Sequence, residues 1–113
     1  ATEGLEVAPN QVYVIPPDQA ITLKSGCLRL RPRSPGVNRV IDIFFESLAD
    51  ERKNTAIGIV LSGHGNDGAQ GLRAIKAAGG ITMAQSVSSA EYESMPEQAI
   101  ATGAVDFVQP PLN

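Results

Sequence analysis

A chain of 113 residues with 42% apolar side chains is long enough for one domain with a real core and too apolar to be disordered. Its net charge of -3, with the nine Lys and Arg mostly scattered, leaves no basic footprint for nucleic acid. The single Cys27 excludes an internal disulfide and fits a reducing, cytoplasmic setting; there is no signal peptide, and no apolar run approaches the roughly 20 residues that span a bilayer.

With 4% aromatic residues and no Trp, the core has to come from Ile, Val, Leu and Ala. That is the composition of an α/β protein whose strands are covered on both faces. The chain opens at Ala1 in polar sequence, without an initiator Met, and is expected to be part of a longer protein.

Residues 1–10 read as loop, with Gly4 and Pro9-Asn10 as turn signals. Gln11 to Ile15 is nearly continuous in apolar character and predicts a first strand, stopped by Pro16-Pro17 because proline cannot donate to a ladder. Ala20–Lys24 and Cys27–Arg31 alternate around Ser25-Gly26, a hairpin signal, with Ile21, Leu23, Leu28 and Leu30 on its buried face. Arg29, Arg31 and Arg33 then share the opposite, solvated face. Asn38 is a candidate helix cap, and Ile41, Phe44, Phe45, Leu48 and Ala49 recur at the spacing of an amphipathic helix.

Ile57, Ile59, Val60 and Leu61 form a short apolar run that predicts a buried strand. The loop Gly63-His64-Gly65-Asn66-Asp67-Gly68 follows. Ala69, Leu72, Ile75 and Ala78 then predict a helix that Gly79-Gly80 ends, and Ile81–Ala84 a second buried strand. Strand, glycine-rich loop, helix, strand is a βαβ crossover, which implies a parallel sheet. Ser88 or Ser89 can cap a short turn; Met95-Pro96 opens a last helix, Gly103 lies past its end, and Val105–Val108 is the last strand. The fold class is therefore α/β: a partial doubly wound, mostly parallel sheet with an antiparallel hairpin near the N-terminus.

In open parallel sheets, ligands and chemistry gather at the carboxyl ends of strands, where this loop lies. Gly63, Gly65 and Gly68 have the spacing of a dinucleotide-binding fingerprint. Against it, Asp67 would repel a pyrophosphate at the helix N-terminus, and no carboxylate for a ribose follows the next strand until Glu91. A phosphate loop of the Walker type lacks its Lys-Ser/Thr pair, and the acidic residues are too few for a calcium loop; no metal or cofactor is expected. By itself, Asp67 reads as a helix N-terminal residue favoured by the dipole. Ser62, His64 and Asp67 can be drawn as a local triad, but functional triads converge from separate segments.

The words from Gly58 to Ala69 and from Gly71 to Gly80, with Gln85, Ser89 to Tyr92, Met95-Pro96, Ala99 to Gly103 and Val105 to Val108, resemble the chemotaxis protein-glutamate methylesterase (CheB) family. Val12 to Pro17 and the hairpin resemble it too, so the likeness covers the whole chain. It implies a doubly wound α/β hydrolase that removes methyl groups from glutamate methyl esters on chemoreceptors through a Ser-His-Asp triad. Asp67 matches the acid, and the backbone N–H of His64 matches a donor to the oxyanion. The family's serine and histidine lie upstream of the hairpin, so residues 1–113 read as a single unit, the C-terminal portion of such a domain, without nucleophile or base.

The chain departs from the family at His64, where methionine or threonine is common, and at Ser86-Val87 and Ser94, where Asp-Pro and Gly are usual. Its style around Ile41–Phe45 and Leu61–Gly63 also resembles fused methylesterase-methyltransferase proteins. The expected partner is a methylated chemoreceptor, with no nucleic acid and no direct membrane insertion. The chain alone is expected to be inactive and, with an edge and an apolar face bared, to form a homodimer. The competing expectation is a non-catalytic regulatory or interaction module that keeps the fold.

Overall fold

The computed structural model describes residues 2–33 and 39–111. Strands β1 (Gln19–Lys24) and β2 (Cys27–Pro32) pair antiparallel in the register Lys24 with Cys27 through Gln19 with Pro32. Between them Ser25 and Gly26 both take positive φ, 53° and 76°, as a two-residue type I′ turn requires. Ile21, Leu23 and Leu28 are buried on one face with Leu30 beside them, while Arg29, Arg31 and Arg33 are exposed, as the alternation predicts. The hairpin is a separate two-stranded sheet rather than part of the parallel one.

Helix α1 (Val40–Arg52) is the middle layer. Phe44 and Leu48 pack on the hairpin, whereas Phe45 and Ala49 face the second half of the chain. The expected cap Asn38 lies outside the described residues, and the residue before the helix, Arg39, makes no side-chain cap. A 3-10 turn (Lys53–Thr55) leads to β3 (Ile57–Val60), followed by α2 (Ala69–Ala77), β4 (Ile81–Gln85), a second 3-10 turn (Val87–Ser89), α3 (Ser94–Ala101) and β5 (Phe107–Gln109). β3, β4 and β5 form a parallel sheet in that order, so the expected crossover is present. α2 ends at Ala77 with Ala78 as its cap, followed by Gly79 at φ 91°, where glycine sits without strain. Leu72 and Ile75 on α2 are fully buried, and each such side chain contributes about 1.5–3 kcal/mol. At Gly58 a Cβ would stand 2.6 Å from Ile75 Cδ1 and 2.9 Å from Leu72 Cδ2, so α2 can lie this close to β3 only over a glycine.

Two expectations are corrected. The strands of the parallel sheet are not covered on both faces: Val60, Thr82 and Ala84 are buried against α2 and α3, but Ile57, Ile59 and Leu61 are each at least half exposed. The register sets Ile57 beside Ile81 and Ile59 beside Met83, which pairs with Phe107, so the outward side chains form one apolar face. Residues 11–15 also form no strand. Tyr13 and Ile15 turn inward onto the hairpin cluster, while Val12 is 92% exposed; the apolar run has something to pack against on one side only. Among the described residues, no helix is long and apolar enough to cross a membrane.

Candidate active site

The loop from Leu61 to Gly68 stands at the carboxyl end of β3, and its two ends are held by different parts of the molecule. At its far end, Asp67 is 4% exposed and does not cap the helix that follows it. Gly68, at φ 100°, is the residue before α2. The Asp67 carboxylate instead reaches α1: Oδ2 accepts the N–H of Ile41 and Oδ1 that of Asp42, both at 2.9 Å. These are donors of the first helical turn, which have no partner inside the helix, and the dipole favours a negative group there. Asp67 does stand directly before the N-cap of its own helix, but its carboxylate serves the start of another one.

Asp42 returns the arrangement. It is also 4% exposed, and its Oδ1 accepts the N–H of Gly68 at 2.9 Å and of Gly71 at 2.7 Å, both at the N-terminus of α2. The start of α2 is thus served by a carboxylate from α1, and the start of α1 by one from the loop leading into α2; Arg39 Nε lies 3.8 Å from Asp42 Oδ2. The anion position that a dinucleotide would need is filled by Asp42, a stronger objection to that reading than the one Asp67 supplied. Sequence reasoning missed Asp42. The signal was present: Asp42, Phe45 and Ala49 share one stripe of α1, so an acid stood in line with apolar neighbours.

At its near end the loop is tied to residues 85–95. Ser62 N–H donates to Gln85 Oε1 at 2.7 Å, and Gln85 Nε2 donates onward to the Ser89 carbonyl at 3.0 Å. Gly63 N–H donates to the Tyr92 carbonyl at 3.0 Å, and Met95 N–H to the Gly63 carbonyl at 3.0 Å. Gly65 N–H donates to Ser94 Oγ at 3.0 Å. Between these committed neighbours, the N–H of His64 meets no acceptor among the described residues. The exposed His64 ring lies against Tyr92, with centroids 4.1 Å apart.

The local triad does not form. Ser62 Oγ accepts from Tyr92 N–H and donates to the Tyr92 carbonyl, the His64 ring packs on Tyr92, and Asp67 faces α1. His64 is the sole histidine of the chain. A cleft of about 310 Å³ opens beside the loop, lined by Arg39, Asp42, Asn66, Gln70, Gln98 and Thr102 among others. Among the described residues no three His, Cys, Asp or Glu side chains gather to hold a metal ion.

A family model described as CheB methylesterase matches residues 1–113. The protein-glutamate methylesterase/protein-glutamine glutaminase of Bordetella parapertussis is 41% identical over 97% of this chain, which spans 33% of that protein. The protein of that name from Yersinia pestis is 37% identical over 96% of the chain and again 33% of the relative. An uncharacterized 104.1 kDa protein of Rhodobacter capsulatus is 43% identical over 92% of the chain, which spans 11% of it. The crystal structure of the Thermotoga maritima CheB methylesterase catalytic domain superposes with a TM-score of 0.86 and 31% identity, covering 97% of this chain and 61% of that one. With that family model matching the whole chain and the catalytic-domain structure superposing over 97% of it, the chain belongs to the CheB methylesterase family.

Proposed function

We propose that this chain supplies the acid and one oxyanion donor of a methylesterase that hydrolyses glutamate methyl esters on chemoreceptors in the cytoplasm. The nucleophilic serine and the base histidine come, in this reading, from sequence outside the 113 residues, as the family resemblance implies. The observation that carries it is the anchoring of Asp67: two backbone N–H groups hold its carboxylate in one orientation. A carboxylate has about four lone-pair positions, so two remain for an imidazole N–H.

In such a site the serine oxygen attacks the ester carbonyl while the histidine takes its proton. Asp67 holds the imidazole in the tautomer that can accept it and stabilises the imidazolium that results. The carbonyl oxygen becomes an oxyanion, toward which the uncommitted N–H of His64 is offered. Collapse returns the proton to the leaving methoxide, releasing methanol. Water then cleaves the acyl-enzyme by the same steps, leaving a glutamate carboxylate and the free serine.

Homodimerisation belongs to the same reading, because the bare sheet face of β3, β4 and β5 needs a cover whenever the chain stands alone. Hydrolysis of a methyl-esterified receptor peptide tests the proposal: the 113-residue chain alone is expected to show none, and the protein extended upstream to be active. Hydrolysis by the chain alone overturns the division of the triad. No hydrolysis by the extended protein favours the non-catalytic module.

A further inference from the structure

One hydroxyl bridges the two ends of the turn Gly63-His64-Gly65. Ser94, the first residue of α3, accepts the Gly65 N–H at 3.0 Å and donates to the Gly63 carbonyl at 3.3 Å. A serine hydroxyl has one proton to give and lone pairs to accept with, and Ser94 uses both kinds of bond on the residues flanking His64. Glycines on either side leave that backbone with unusual freedom, and Gly65 stands at φ 86°. The order of the turn therefore has to be imposed by its neighbours. Ser62, Tyr92 and Met95 hold its entry, and at Gly63 a Cβ would stand 2.4 Å from Met95 Sδ. Beyond His64, at Gly65, Ser94 Oγ is the contact that the structure records.

We propose that Ser94 is a positioning residue for ester hydrolysis: its hydroxyl bridges Gly63 and Gly65 and so fixes the direction of the His64 N–H toward the oxyanion. This rests on the methylesterase reading above, since the direction of that N–H matters to rate only if an oxyanion forms there. Oxyanion donors act by being aimed before the charge develops. A donor free to swing still admits the neutral ester but stabilises the transition state less, so loosening it lowers kcat and spares KM.

The test uses the upstream-extended protein and a peptide bearing one glutamate methyl ester. Ser94→Ala is expected to lower kcat about tenfold with KM unchanged, less than the 10²–10³-fold cost of removing a donor outright. Ser94→Thr, which keeps the hydroxyl, is expected to stay near wild type. Amide exchange at His64 and Gly65 should quicken in Ser94→Ala alone, with the thermal midpoint little changed. Full kcat in Ser94→Ala, a rise in KM at constant kcat, or equal impairment of the alanine and threonine variants overturns the proposal. Asp67→Asn keeps the two readings apart: full activity in that variant defeats the role of Asp67 in the triad while the Ser94 comparison still stands. No hydrolysis by the wild-type protein defeats both.

Discussion

Asp42 shows how much rests on a side chain that touches no reacting atom. One of its oxygens serves two buried N–H groups at the start of α2, and its own N–H serves Asp67. Replacing it by alanine leaves those donors without a partner, at about 1–3 kcal/mol. Urea unfolding of Asp42→Ala should show a loss of that size, and Asp42→Asn a smaller one because a carbonyl oxygen remains. An unchanged midpoint in the alanine variant would contradict the capping role. At this scale the sequence was unevenly informative. Asp67 and His64 could be picked out because the words around them are distinctive. The partners of Asp67 could not, because they lie 25 and 26 residues away, brought near only when α1 meets α2.

The elements of the second half were the most legible, since helical spacing in Ala69–Ala78 and the β-branched runs beside it each admit one regular structure. Residues 11–15 were misread because an apolar run shows that side chains want burial, not that a neighbouring strand is there to pair with. The parallel sheet has a further tie. Lys76 in the last turn of α2 bonds the Asp106 carboxylate, which also accepts the Thr82 N–H at 3.0 Å. The Lys76 bond first, and the Thr82 N–H next, hold the Asp106 carboxyl below the usual range near 4. A carboxyl depressed in the folded state stabilises fully above its unfolded value, and that contribution is lost as pH falls through the lower folded one. The gap in unfolding midpoint between wild type and Asp106→Asn should therefore be present at pH 7 and shrink steadily below pH 4. A gap of constant size from pH 7 to about pH 2 would contradict the pairing.

For the whole molecule, the bare face of Ile57, Ile59, Leu61, Ile81 and Phe107 is the dominant physical fact. Apolar residues in that register want cover on both sides, which is why the strands read from sequence as buried. Among the described residues α2, α3 and Phe45 of α1 cover one side, and the other side stays bare. The isolated chain is expected to dimerise through this face, seen by light scattering as a doubled mass at high concentration; a monomer throughout would argue against it. The same whole-molecule view explains why a triad could be inferred by resemblance but not assembled from these residues. The Asp67 carboxylate is held by two N–H groups, and in the proposed reading it is the acid and the His64 N–H the donor, while serine and base belong to segments upstream. The most direct measurement is kcat for methyl-ester hydrolysis by the upstream-extended protein with and without Asp67→Asn. The expected result is a fall of about 10⁴-fold with the fold intact, the scale of losing the tautomer that the acid enforces; a variant that keeps wild-type kcat would contradict the central claim.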